Sequence, residues 1–317
     1  MSANDTPPEA VRRDCPACGG ADPAEVARLA AEQFCKVNST YDADFAAILG
    51  IRPDTVYPLA RCRGCGFVYA ALLPPPAFLG RVYDEVIDPD RGFFESCNPG
   101  WVAHQLALGA RLLGGLAGRY GEDVRLKVLD FGCGYGALVR ALNGPRVSCR
   151  GFETSPRRLA YLRAQQLPAS SELDALAAGG PYHGVVLSDV LEHVPSPRET
   201  LALCRRLLAD GGLLLVHVPD FGERRLAAAL ADVPAGRQTR ELNPWEHLNY
   251  FSPASLHRMI EAAGFRMLEP AAVDVGLRPG LRGGRRWGNA LKSALRLTRH
   301  ALGAPPQETT ALAERLP

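Results

Sequence analysis

The chain has 317 residues, 47% hydrophobic and 22% charged, enough for one full α/β domain with a smaller module beside it. No apolar run approaches the roughly 18 residues needed to cross a bilayer. The start, MSANDTPPEA, lacks the apolar stretch of a signal peptide, so a cytoplasmic, reducing location is expected. The net charge of +2 is unevenly spread: residues 1–100 carry 9 Lys and Arg against 14 Asp and Glu, and residues 277–317 carry 8 against 2. An acidic front argues against nucleic acid as a partner.

In chain order, the first region, residues 1–76, is loop-rich and holds two C-x-x-C knuckles, CPACGG (Cys15, Cys18) and RCRGCGF (Cys62, Cys65). This spacing lets each knuckle offer two thiolates to one tetrahedral ion, and the following glycine relieves crowding where backbone amides turn toward sulfur. Four thiolates make a closed, structural Zn²⁺ site. Cys35, Cys97, Cys133, Cys149 and Cys204 have no such pattern and are expected to be core or bystander thiols. LLPPP (Leu72–Pro76) interrupts regular structure and marks a linker, with residues 77–100 leading into the next region.

From a helix near Trp101–Tyr120 onward the pattern alternates. RLKVLDF, RVSCRGFE, GVVLSD and GGLLLVHVP read as strands, with helices after the first glycine turn, over Pro156–Gln166 and over Pro197–Ala209. Short strands separated by helices imply parallel crossovers, hence an α/β fold with a doubly wound, mostly parallel sheet over residues 101–276. SPASLHRMIEAAG reads as a helix capped by Ser252 and closed by Gly264, and FRMLEPAAVDVG as the last strands.

The turn LDFGCGYGALV is the chemical centre. Gly132, Gly134 and Ala137 satisfy a relaxed dinucleotide fingerprint, while Gly132, Gly134 and Gly136 equally fit the loop that holds S-adenosylmethionine. Glu153 ends the next strand, where an acid accepts hydrogen bonds from a ribose in either class. The turn and its acid therefore point to an adenosine ribose without choosing the cofactor.

Five ordered segments carry a resemblance: VLDFGCGYGALV, GFETSP, GVVLSDVLEHVPSPRETL, LLADGGLLLVHVPD and HLNYFSPASLHRMIEAAGF. Together they resemble class I S-adenosylmethionine-dependent methyltransferases of the small-molecule D-V-L-E-H-V type. The cysteine-bearing front resembles the zinc-binding head of some of these enzymes, including sugar C-methyltransferases. The resemblance implies a Rossmann-like fold, S-adenosylmethionine as cofactor and a small-molecule acceptor, a sugar or natural-product intermediate. It implies that Gly132 and Gly134 face the methionine part of the cofactor and that Asp130 supports the turn or the amino group. Glu153 would bind the ribose, Glu172 would lie near the adenine, and Ser188 and Asp189 would lie beside the sulfonium. Removing the Glu153 side chain is expected to weaken cofactor binding with folding intact.

For an oxygen acceptor a base must take a proton, and His193 beside Glu192 and His247 beside Glu246 are the candidates. Packing or anchoring roles for the two histidines stay open. Trp245 and Tyr250 are expected to shape an acceptor pocket. Asp189, Glu192, His193 and His247 also resemble the set that holds a divalent metal in small-RNA 2′-O-methyltransferases. Two other functions remain: an RNA methyltransferase with a zinc ribbon, and a non-catalytic cofactor-binding scaffold. Residues 277–317 read as a basic amphipathic helix, suited to an anionic membrane or a protein partner or to a plain terminal helix, followed by a flexible end after Gly303.

Overall fold

The computed structural model describes residues 10–33, 48–86, 93, 97–121, 123–234, 242, 245–268, 272–273 and 308–317. The chain opens with strands β1 (Val11–Arg12), β2 (Pro23–Ala30), β3 (Val56–Cys62), β4 (Val68–Ala70) and β5 (Leu72–Leu73), then helix α1 (Pro76–Arg81). Leu72 is buried and pairs with Arg12, and the prolines that follow start α1, whose first turn suits their fixed φ. LLPPP is therefore a strand-to-helix junction and not a linker.

Helix α2 (Pro99–Leu116) starts on Asn98, whose side chain accepts a hydrogen bond from the Gly100 N–H at 2.8 Å. The alternation follows: β6 (Leu126–Phe131), α3 (Ala137–Leu142), β7 (Val147–Phe152), α4 (Pro156–Ala164), β8 (Ala169–Ser170), α5 (Leu173–Gly179), β9 (Tyr182–Ser188), α6 (Pro197–Leu207) and β10 (Leu208–Pro219). Then come α7 (Glu223–Asp232), β11 (Asn249–Tyr250), α8 (Pro253–Ala262), β12 (Phe265–Met267), β13 (Ala272–Val273) and β14 (Glu308–Arg315). The Ser252 hydroxyl accepts from the Ser255 N–H at 3.2 Å, so the expected cap of α8 is in place.

These elements form two compact units. The first comprises residues 1–89, 191–198 and 219–255. Its antiparallel sheet runs β11-β4-β3-β2, so a strand from beyond β10 completes a sheet begun by the N-terminal region. Trp245 fills its core, with its ring 4.1 Å from that of Tyr57 and 5.9 Å from that of Phe78. Trp245 and Tyr250 are 0% and 1% exposed, which corrects the expectation that they shape an acceptor pocket. They are core residues.

The second unit comprises residues 90–190, 199–218 and 256–317. Its sheet runs β12-β14-β10-β9-β6-β7-β8, with β13 also paired to β14. Strands β10, β9, β6, β7 and β8 are mutually parallel, and β12 and β13 are antiparallel to β14. This is the Rossmann-like, mostly parallel sheet expected. Leu108, Leu112 and Leu116 of α2 recur every four residues and pack with Val128, Val186, Leu213 and Leu215. Each such burial contributes about 1.5–3 kcal/mol.

Two boundaries differ from the sequence reading. By compactness, residues 191–198 and 219–255 group with the front unit, although they lie inside the stretch 101–276 expected as one domain. The chain after Gly303 is not a flexible end throughout: Glu308–Arg315 forms a strand between β12 and β10, with Thr309–Ala313 buried. The proposed basic helix lies outside the described residues. Among the described residues no helix is long and apolar enough to cross a membrane.

Candidate cofactor, metal and catalytic sites

The four knuckle cysteines converge in the first unit. Their sulfurs lie within 4.8 Å of one another, with Cys15 Sγ and Cys65 Sγ at 3.6 Å and Cys18 Sγ and Cys62 Sγ at 3.5 Å. A tetrahedral ion with metal–sulfur bonds of about 2.3 Å sets its sulfurs about 3.8 Å apart, so the set fits Zn²⁺. Gly19 and Gly66, each directly after a knuckle, take φ of +76° and +75°, and Gly20 leaves room where a Cβ would come within 3.3 Å of Cys18 Sγ. Burial pushes the Cys15 thiol up. Burial also acts to raise Cys62, but the backbone N–H groups of Cys65 and Gly64 and the Cys18 thiol bring it down to about 7. Cys133, Cys149 and Cys204 are buried apart from this set, with their thiols raised chiefly by burial.

The glycine turn lies in the second unit, between β6 and α3. Strand β6 is flanked by β7 and β9, so the strand order reverses here, and open α/β sheets bind ligands beyond the carboxyl ends of the strands at such a point. The Gly132 and Cys133 N–H groups donate to Phe152 O at 2.8 and 2.9 Å. Gly132 has φ +80°, and a Cβ there would meet Val190 Cγ2 at 2.6 Å, so a side chain is excluded on both counts. Gly134 has φ +55°, with open space where its Cβ would be.

Glu153 is 5% exposed and accepts hydrogen bonds from the Gly134 N–H at 3.0 Å, Thr154 at 2.8 Å and Ser155 at 2.9 Å. Its carboxylate holds the glycine turn to the start of α4. Loss of the side chain would take the acceptor from three backbone donors, at a cost of up to roughly 1–3 kcal/mol for each one that water does not reach, so some loss of stability should accompany the loss of cofactor binding. Asp130 is buried at the end of β6. Burial, and then the charge of Glu153, push its carboxyl up to about 7.

Ser188 ends β9, and its hydroxyl accepts from Gln105 Nε2 at 3.0 Å. Asp189 follows in the left-handed region, at φ +53°, with its N–H donating to His217 O at 2.9 Å. Asp130, Gly132, Gly134, Glu153, Ser188 and Asp189 therefore all lie at the carboxyl ends of β6, β7 and β9. Glu172 is exposed, two residues past β8, and its Oε1 accepts from the Ser171 hydroxyl at 3.1 Å.

Glu192, His193 and His247 converge in the first unit, with their ligand-capable atoms within 4.8 Å of one another. The two imidazoles stand 4.8 Å apart, and His193 Nε2 lies 3.7 Å from Glu192 Oε1. His193 Nδ1 is 3.0 Å from Glu246 O and 2.9 Å from the Tyr83 hydroxyl. A carbonyl only accepts, so that contact assigns the proton to Nδ1 and leaves Nε2 as the basic nitrogen.

Three residues that sequence reading overlooked hold this cluster. Tyr83 touches His193. Arg13 donates from Nε to Ala70 O at 2.9 Å, from Nη1 to Pro195 O at 3.0 Å and from Nη2 to Asn249 Oδ1 at 3.2 Å. Asn249 Nδ2 in turn donates to Leu191 O and Val194 O at 2.8 and 2.7 Å, clamping the turn that carries His193. Asn249 stands two residues from His247 in HLNYF, a local signal. Arg13, beside the first knuckle, carried none.

A family model described as a methyltransferase domain matches residues 102–269. The ubiquinone biosynthesis O-methyltransferase of Thiobacillus denitrificans is 27% identical over 152 residues, 45% of this chain and 66% of that protein. The enzyme of the same name from Psychrobacter arcticus is 30% identical over 162 residues, 48% of this chain and 60% of that protein. The chain thus covers less than two thirds of the length of either relative. Among solved structures, the 1,6-didemethyltoxoflavin-N1-methyltransferase of Burkholderia thailandensis aligns with a TM-score of 0.48 at 19% identity, over 79% of this chain and 96% of that one.

Proposed function

Since the chain belongs to the methyltransferase-domain family, whose model covers residues 102–269 of its 317, we propose that it transfers the methyl group of S-adenosylmethionine to a small-molecule acceptor. The observation that carries this reading is the acid-bound glycine turn at the point where the strand order reverses, with Glu153 on the Gly134 N–H. In this reading Glu153 exchanges part of its backbone bonding for the ribose hydroxyls and Gly132 and Gly134 pass beside the methionine chain. Asp130 faces the amino group, Ser188 and Asp189 adjoin the sulfonium, and Glu172 lies toward the adenine.

The acceptor is a hydroxyl-bearing metabolite, a sugar or natural-product intermediate, in keeping with the O-methyltransferase names of the relatives. When bound, the cofactor supplies an activated methyl on a positive sulfur, a good leaving group. The chain's own residues then have to align the acceptor and remove its proton. His193 takes that proton at Nε2, Glu192 stabilises the resulting imidazolium, and His247 completes the polar cluster. The cysteine set holds a structural Zn²⁺, closed to substrate, and the protein works in the cytoplasm.

Calorimetry with S-adenosylhomocysteine and NAD, followed by transfer of labelled methyl to hydroxyl acceptors, tests the reading. Affinity for the adenosylated ligand alone is expected. His193→Gln should lower turnover by about 10²–10⁴-fold with that affinity retained. Affinity for NAD in its place would overturn the cofactor assignment. A divalent transition-metal ion on Glu192, His193 and His247 is a second reading, favoured by their convergence; loss of turnover on chelation mild enough to leave the thiol-bound ion in place, restored by Mn²⁺ or Co²⁺ and not by Mg²⁺, would select it. Salt-dependent RNA binding would select an RNA acceptor, and cofactor binding without transfer a scaffold.

A further inference from the structure

A third cluster lies in the second unit, away from the glycine turn's own residues. His104 of α2, His217 of β10 and Glu308 of β14 bring one ligand-capable atom each to within 4.8 Å of one another. The imidazoles of His104 and His217 are 6% and 1% exposed and stand 4.5 Å apart. His217 Nδ1 lies 2.9 Å from the Thr310 hydroxyl and its Nε2 lies 3.8 Å from Glu308 Oε2. The Thr310 hydroxyl can accept the Nδ1 proton, the tautomer that a metal-bound histidine takes, and Nε2 is then turned toward the carboxylate oxygen with its lone pair. Two such electron-pair donors, with His104 beside them, suit a cation between them.

We propose that His104, His217 and Glu308 bind a divalent transition-metal ion. Two imidazoles and one carboxylate suit Zn²⁺, Fe²⁺, Co²⁺ or Mn²⁺ better than Mg²⁺ or Ca²⁺, which prefer sets made wholly of oxygen. An ion with bonds of about 2.1 Å in tetrahedral geometry holds its ligand atoms about 3.4 Å apart, so the side chains need to close by about an ångström. Thr310 acts as the outer partner that orients a metal-binding histidine. Three protein ligands leave a coordination position open, unlike the cysteine set, so this site can take an oxygen ligand from solution.

His217 pairs with Ser188 in the register of β10 on β9, and its carbonyl accepts the Asp189 N–H. Gln105, next to His104 on α2, donates to the Ser188 hydroxyl. The proposed ion therefore shares the carboxyl edge of the sheet with Ser188 and Asp189.

The full chain, first given one equivalent of Zn²⁺, which four thiolates take in preference to two imidazoles and a carboxylate, is titrated with Co²⁺ and followed by visible absorption and calorimetry. The expected result is uptake of one further equivalent with cobalt d–d bands and no sulfur-to-cobalt charge-transfer band. Glu308→Gln and His217→Gln should each weaken that uptake by about tenfold or more, with near-ultraviolet circular dichroism unchanged. His193→Gln should leave it as in the wild type. No uptake beyond a thiol-bound ion would overturn the proposal. So would uptake unaltered in folded Glu308→Gln protein, or uptake lost in His193→Gln instead.

Discussion

The cysteine set of the first unit and the carboxylate pair of the second both gather negative charge, but they hold it in opposite ways. The four sulfurs stand 3.5 and 3.6 Å apart in pairs on tight glycine turns, a spacing that fits a single tetrahedral ion. Asp130 and Glu153 have no such closure. Glu153 is tied to three backbone N–H groups, and Asp130 is buried with its carboxyl held near neutral by its neighbour's charge and its own desolvation. A closed set of this kind suits a permanent ion, and an open pair suits a ligand that comes and goes. The difference teaches that concentrated charge marks a binding site only together with the geometry around it.

The comparison breaks first at the cysteines. Cys15→Ser removes one ligand of four, and because structural zinc in small modules contributes about 10–16 kcal/mol, loss of the metal should unfold the first unit. Metal analysis and thermal melting read this directly; a variant with wild-type zinc content and melting temperature would show that the four thiols are not a metal site.

Next in size is the acid on the glycine turn. Glu153→Gln keeps an oxygen acceptor for the backbone amides, so the fold should survive better than with alanine. The weaker acceptor should cost S-adenosylhomocysteine about 10-fold to 100-fold in affinity, as hydrogen bonds to a charged group are worth about 1.5–3 kcal/mol. Equal affinity in calorimetry would place the ribose elsewhere.

The smallest effect sharpens the role of Asp130. Its folded pKa, about 7, stands above the ordinary carboxylate value of 3.8, so its contribution to stability is full below pH 3.8 and is lost as pH rises toward 7. Thermal melting of Asp130→Asn relative to wild type should therefore gain as pH goes from 5 to 8. A cationic ligand prefers the ionised acid, so S-adenosylmethionine affinity should rise with pH by up to about tenfold per unit below 7 and flatten above it. The same flat profile in wild type and Asp130→Asn would remove Asp130 from the cofactor site.

The knuckles, the glycine turn, the acid at the tip of β7 and the alternation of strands with helices are local patterns: each needs residues within one turn or one crossover, so spacing along the chain reveals them. Glu192, His193 and His247 were legible as residue types and, through the likeness to a metal-holding set, as a group; that they gather without Asp189 was not. Nor was the burial of Trp245 and Tyr250, because an aromatic residue in a loop pattern looks the same over a pocket as in a core.

What the sequence determined alone was the parallel sheet with its glycine turn and the pairing of thiols, since both follow from short-range geometry and side-chain chemistry. Only the tertiary structure decided that residues 191–198 and 219–255 belong with the front unit, that Glu308–Arg315 enters the sheet, and that His104, His217 and Glu308 meet. These depend on strand pairing and burial between segments far apart along the chain, where no periodicity or spacing carries the signal.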